Sequence, residues 1–238
     1  MDEQFLRTEM LLGTAAMVTL SHAHVAVLGL GGVGSWCCEA LARAGVGALT
    51  VVDSDTVSRS NLNRQLEATY ETIGQTKAEA MAQRIACLSG GCQVHPMVLS
   101  YSPDTREVFF AGDYDYIVDA IDLVSCKLDL IQTALSRRVP IISALGTGNK
   151  LDASRFTVTD IAKTEGCPLA RIVRKELRAR GILHHKVVFS PELSTSCPAV
   201  PGEAPPPGRR CVPASAPWVP PVAGFLLAGA VVQDLIAP

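Results

Sequence analysis

At 238 residues and 48% apolar content, the chain can bury a sizeable core, which excludes an intrinsically disordered protein. Its 21 Lys and Arg against 23 Asp and Glu leave a net charge of −2. A surface that is cationic throughout is therefore excluded, and any site for a polyanion must be local.

In chain order, the first ten residues, MDEQFLRTEM, carry acids and lack a basic stretch leading into an apolar core, so no secretory signal and a cytoplasmic location are expected. Phe5 to Leu20 reads as one helical arm. Strand candidates recur at 24–29, 48–53, 93–99, 115–121 and 139–145, with helical patterns at 33–44, 76–88, 103–111 and 124–137 between them. That alternation predicts an α/β fold, a Rossmann-like, mostly parallel sheet with flanking helices and right-handed crossovers. The runs VAVLGL, LTVVD, DYIVDAI and VPIISAL are almost continuously apolar, as strands covered on both faces should be.

Beyond Lys150 the pattern changes to a strand-like RFTVTD, a helix from about Pro168 to Arg180, and KVVF. These read as a C-terminal extension on the same unit: one domain over 1–238, with a nucleotide-binding core at 22–150 and a substrate-side extension at 151–238. Residues 197–221 hold nine of the fifteen prolines and predict a long irregular loop. The apolar stretch from Val222 to Ile236 starts behind Pro220 and Pro221 and contains Asp234. As a helix it would rise roughly 22 Å, short of a bilayer core of about 30 Å, so a buried helix and no membrane association are expected. Cys37 and Cys38 fall inside a helical pattern, and the eight cysteines are expected as reduced thiols.

The most informative stretch is Gly29-Leu30-Gly31-Gly32-Val33-Gly34 between the first strand and a small-residue helix, followed by Asp53 at the end of the second strand. A glycine turn there lets phosphate meet backbone amides at a helix N-terminus, and the carboxylate can hold ribose hydroxyls. An NAD-binding redox module and an ATP site both satisfy that much. Hydride transfer also needs a polarising acid. His22, His24, His95, His184 and His185 are scattered and read as ordinary surface or strand histidines.

An ATP site explains more residues. Phosphoryl or nucleotidyl transfer needs cations near the leaving phosphates and a carboxylate for Mg²⁺. Asp55, Asn61, Asn63, Arg64, Gln65 and Lys77 follow Asp53, and Asp122 closes the fourth strand's loop. Arg64 and Lys77 are candidate cations, Asp122 the candidate Mg²⁺ ligand, and Asn61 and Gln65 candidates for ribose or phosphate oxygens.

The combination GLGGVGS, VVDSDTVSRSNLNRQ, IGQTKAE and DAID resembles the adenylating superfamily of the ubiquitin-activating enzymes and the bacterial activators of sulfur-carrier proteins. The resemblance implies Gly32 and Asp53 at the adenosine and ribose, Asn61, Arg64, Gln65 and Lys77 around the phosphates, and Asp122 at Mg²⁺. It places Arg7 where such enzymes reach an arginine into a partner subunit's ATP site, which implies a homodimer. Carrier-protein activators commonly hold zinc through two C-x-x-C pairs, and no C-x-x-C occurs here.

Downstream, LDASRFTVTDIAKTEGCPLARIVRKELRARGI and VPPVAGFLLAGAVVQDLI are similar to the tRNA threonylcarbamoyladenosine dehydratases. That family uses ATP to close a threonylcarbamoyl side chain on an adenosine next to the anticodon. A carboxylate activated as an adenylate can be attacked by the substrate's own ureido nitrogen, so an enzymic nucleophile is optional. Cys197 is the leading candidate for one, ahead of Cys167 and Cys211. For tRNA, helical offsets place Arg171, Arg174, Lys175 and Arg178 on one side of the helix after Pro168, extended by Arg180, His184, His185 and Lys186. The alternative within the superfamily is adenylation of a carrier protein's C-terminal carboxylate, with a small carrier or sulfur-transfer protein as partner.

Overall fold

Apolar runs with no polar alternation must be covered on both faces, and the chain meets that demand with one sheet between two helical layers. The computed structural model describes residues 3–197 and 213–237. Its strands are β1 (His24–Leu28), β2 (Ala48–Val52), β3 (Gln93–Met97), β4 (Tyr116–Asp119), β5 (Ile141–Ala144), β6 (Thr157–Asp160) and β7 (Lys186–Phe189). They lie in the order β3-β2-β1-β4-β5-β7-β6. Every pairing is parallel except β6 with β7, where Thr157 faces Phe189.

The pleat divides the core. Val25 and Val27 face one layer with Leu49, Val51 and Val118, while Ala26 and Leu28 face the other with Ile117 and Val187, as period-two alternation requires. On the first face lie α2 (Thr14–His22), α3 (Gly34–Ala44), α4 (Lys77–Ala86) and α8 (Val219–Leu235), represented by Leu20, Leu41, Met81 and Leu227. On the second lie α5 (Arg106–Phe109), α6 (Val124–Ser136) and α7 (Pro168–Ala179), with Phe109, Ile131 and Val173.

The helical arm expected over Phe5 to Leu20 is broken in two. Gly13, at φ 87° and ψ 158°, separates α1 (Leu6–Leu12) from α2. α2 packs inward through Met17 and Leu20 and α1 through the half-buried Leu12, while Met10 and Leu11 are 80% and 83% exposed on α1. At the other end α8 starts at Val219, three residues before the sequence pattern suggests, with its prolines in the first turn; that turn has no use for their missing N–H groups. Gly224 lets α8 sit against the start of α3, since a Cβ there would fall 2.5 Å from Val33 O. Among the described residues no helix is long and apolar enough to cross a membrane. The outermost parallel strand, β3, carries Pro96 in its paired stretch.

Candidate active site

Strand order reverses at β1, which is flanked by β2 and β4. In open α/β sheets the crevice beyond the carboxyl ends at such a switch point is where ligands bind. Here β1 runs into Gly29, whose φ of 89° suits glycine. A Cβ on Gly29 would lie 2.6 Å from Ala120 O, and one on Gly34 only 1.8 Å from Gly29 O. These two glycines serve the packing of the loop on β4 and on its own helix. Gly31 and Gly32 have a different surrounding, because both line a small cleft of about 150 Å³ that opens to solvent.

The cleft gathers stretches distant in sequence. Gly31 and Gly32 meet Arg64 and Gln65, Ala120 to Asp122 from the end of β4, Gly146 to Gly148 from the end of β5, Leu169 of α7, Pro220 of α8, and Pro213 to Ser215. Trp36 Nε1 donates to Arg64 O at 3.0 Å, which fixes the backbone there. The Arg64 guanidinium is oriented by Ser60 O and Asn63 Oδ1, at 3.0 and 2.8 Å from Nη1. Gln65 is 7% exposed, and its Oε1 accepts no hydrogen bond from the described residues. A buried orphan acceptor on a cleft wall asks for a donor from the occupant.

Of the residues singled out in the sequence, Gly31, Gly32, Arg64, Gln65 and Asp122 line this cleft, and Asp53, Asp55, Asn61, Asn63 and Lys77 do not. Asp53 instead braces the glycine loop, accepting from Leu30 N at 2.7 Å and from Asp55 N at 2.8 Å. Asn61 caps its own turn through Ser58 N, and Asn63 Nδ2 donates to Ser215 O at 3.0 Å. Lys77 opens α4 beneath the carboxyl end of β2, with Nζ 2.8 Å from Asp55 Oδ2 and 4.0 Å from Asp53 Oδ2. Near it Glu67 is 2% exposed with no partner on either oxygen among the described residues. Burial, aided by the Asp53 charge and opposed by Lys77, pushes its pKa up to about 7.

Under the floor of the cleft lies a polar group that sequence reasoning missed. Lys127 and Asp119 are both fully buried, and Lys127 Nζ donates to Asp119 Oδ2 at 2.6 Å and to Ala144 O at 3.1 Å. Asp119 Oδ1 accepts from Ile121 N at 3.0 Å, so the loop carrying Asp122 is tied to both β4 and β5. The sequence signal was available, since Lys127 stands in helical register with Leu128 and Ile131 on the apolar face of α6. His185, read as a surface or strand residue, lies inside: it shares a 2.7 Å bond with Ser143 Oγ, and burial pushes its pKa down to about 3.

On α7, Arg171, Lys175 and Arg178 are exposed, whereas Arg174 turns back to donate to Thr164 O and Oγ1. Leu169, at the start of the same helix, lines the cleft. Arg7 is exposed on α1 in a shallow groove with Leu6, Met10 and Leu11, away from the cleft. Cys167 is buried, the Cys197 thiol is 3.7 Å from Thr195 O, and burial raises Cys37 and Cys38 well above an ordinary thiol. Cys211 and residues 198–212 of the Pro-rich stretch lie outside the described residues. No cluster of three or more His, Cys, Asp or Glu suited to a metal occurs among the described residues.

A family model described as the ThiF family matches residues 5–232. The chain is 41% identical to the tRNA threonylcarbamoyladenosine dehydratase of Bacillus subtilis (strain 168), covering 99% of this chain and 96% of that one. Two crystal structures of the Escherichia coli tRNA N6-threonylcarbamoyladenosine dehydratase, one with ATP and one with AMP, superpose with TM-scores of 0.87 and 0.88. Both are 33% identical to the chain, over 98% of it and 94% of theirs. These likenesses favour the tRNA branch over carrier-protein adenylation and over an NAD module.

Proposed function

The chain belongs to the ThiF family, and on that premise we propose that it is a tRNA threonylcarbamoyladenosine dehydratase, closing the threonylcarbamoyl side chain into a ring at the expense of ATP. One observation carries the reading: at the switch point of the sheet, open glycines, a guanidinium, an orphan amide oxygen and a carboxylate converge on one cleft. That is the donor and acceptor set a nucleotide needs.

The chemistry ATP supplies is activation of a carboxylate as a mixed anhydride with AMP, with pyrophosphate leaving. The chain's contribution is positioning and charge. Gly31 and Gly32 let phosphate approach the amides at the start of α3, Arg64 neutralises phosphate oxygens, and Gln65 Oε1 accepts from a ribose hydroxyl or an amine. Asp53 and Asn61 lie next to the nucleotide wall and take the ribose and phosphate contacts once their backbone partners shift. Lys77 joins the phosphates by exchanging Asp55 for them. Asp122 is the carboxylate that would hold Mg²⁺, which commonly takes one or two carboxylates and completes its shell with phosphate and water. No nucleophile is needed for closure, because the attacking nitrogen belongs to the same side chain.

The tRNA is met by the exposed Arg171, Lys175 and Arg178 of α7, which runs from the cleft at Leu169, while Arg174 steadies the helix against Thr164. The exposed apolar face of α1 suits a second copy of the chain, whose Arg7 would then complete the site, so the enzyme works as a cytoplasmic homodimer. Residues 22–150 act as the nucleotide core and 151–238 as the substrate side of one unit. The test is incubation with ATP, Mg²⁺ and tRNA carrying the threonylcarbamoyl modification. Mass spectrometry should find the modified nucleoside lighter by one water, with AMP formed in step. An unchanged nucleoside beside an ATP-bound protein would refute the reading.

A further inference from the structure

The stretch of cleft lining from Pro213 to Ser215 belongs to no helix or strand, yet it is held at both ends. Asn149 meets it from the end of β5: Asn149 N donates to Ala214 O at 2.8 Å, and Asn149 Oδ1 accepts from Ala214 N at 2.7 Å. The carbonyl of Asn149 accepts from Thr195 N at 2.7 Å. One residue thus joins three stretches, imitating a strand pair with its own backbone and side chain. From the glycine side, Asn63 Nδ2 reaches Ser215 O, and further along Trp218 Nε1 donates to Leu151 O at 2.9 Å.

Asn149 can do this only in a special backbone state. Its φ is +60°, a left-handed conformation that asparagine tolerates better than most side chains because its short amide bonds locally. The neighbouring Gly148 packs close to Pro213, where a Cβ would lie 3.0 Å from the proline's own. The tie is therefore short, directional and specific to an αL residue with a side-chain acceptor.

We infer that Asn149 is a positioning residue that sets the Pro213 to Ser215 wall of the cleft, and so governs admission of the modified nucleoside rather than of the nucleotide. This rests on the function proposed above. The nucleotide's contacts are assigned above to Gly31, Gly32, Arg64 and Gln65, and the hydrogen bonds of Asn149 go to Ala214 and Thr195 instead. The stretch it holds lines the cleft yet carries none of those nucleotide contacts.

Two substitutions separate the terms. Asn149→Gly keeps the positive φ and removes the acceptor, while Asn149→Asp keeps both. Hydrogen exchange on the full chain should show the Ala214 amide losing protection in the glycine variant and keeping it in the aspartate variant. In steady-state assays the glycine variant should show a KM for modified tRNA raised about fivefold, as expected for one lost hydrogen bond, with ATP affinity and kcat within twofold of the parent. Unchanged exchange at Ala214 in the glycine variant overturns the tie. Lost protection with an unchanged KM for tRNA, or with ATP affinity and kcat falling alongside it, overturns the role. If the parent protein itself leaves the nucleoside unaltered, the proposed function falls, and the exchange result still decides whether Asn149 holds the wall.

Discussion

Two lysines are buried on either side of β1, each paired with an aspartate, and their surroundings are opposite. Lys127 and Asp119 are both at 0% side-chain exposure, and the lysine is further bonded to Ala144 O. Lys77 is 7% exposed, but its nearer partner, Asp55, is 69% exposed. A pair closed off from water on both sides has nothing to exchange with, so the first lysine braces the ends of β4 and β5. A pair with one partner in solvent can trade it for an incoming anion, so the second lysine is poised to move. Burial of the lysine alone does not separate a brace from a binding group; burial of its partner does.

The largest effect should come from breaking the closed pair. Lys127→Met leaves Asp119 charged and uncompensated, and urea unfolding should show a loss of about 3–5 kcal/mol. Next, Lys77→Met leaves Asp55 in water but takes a cation from Asp53, 4.0 Å away and 11% exposed, so stability should fall less than for Lys127→Met, by about 1–3 kcal/mol. Its kcat for the dehydration should nevertheless fall by about 10²- to 10³-fold, the scale for removing one charge-stabilising donor. A Lys77 variant that unfolds as readily as the Lys127 variant would erase the distinction.

The third effect concerns Glu67, which is buried near Lys77 without a hydrogen-bonding partner among the described residues. Its pKa is raised from 4.5 to about 7 in the fold. The stability this contributes is complete below pH 4.5 and is lost as pH rises through 7, since the unfolded chain ionises first and the buried carboxyl must then follow. The loss amounts to about 3 kcal/mol at most. Urea unfolding of Glu67→Gln between pH 5 and 8 should lack this decline, so the variant gains on the parent as pH rises. Parallel profiles would mean that Lys77 neutralises Glu67 and that the open corner is better paired than it looks.

Much of this arrangement is written locally in the chain. The glycine turn, the apolar strands and the motif from Asp53 to Lys77 follow from spacing, because strands, turns and caps are short-range events. What lay beyond reach was set by contacts between distant stretches. β6 pairs antiparallel outside β7, an order that strand patterns alone do not encode. Pro213 to Ser215 reaches the cleft through Asn149 and Asn63, partners 65 and 152 residues away from the atoms they bind. Lys77 and Asp53 lie outside the cleft's lining, and their engagement with Asp55 and Leu30 N depends on how the loops fold over β2. Arg174 fits the basic stripe by helical offset, and only tertiary structure brings Thr164 within its reach.

Pro96 in β3 bears on the life of the protein outside its chemistry. An outermost strand offers its unpaired amides and carbonyls to any extended segment that drifts past, and it is at such rims that chains stitch into aggregates. A proline residue interrupts the row of donors, and here it sits next to the strand's last residue, Met97. Because the opposite rim is β6, which runs against its neighbour, the two borders of the sheet differ in direction. Copies of the protein are thereby discouraged from extending the sheet edge to edge.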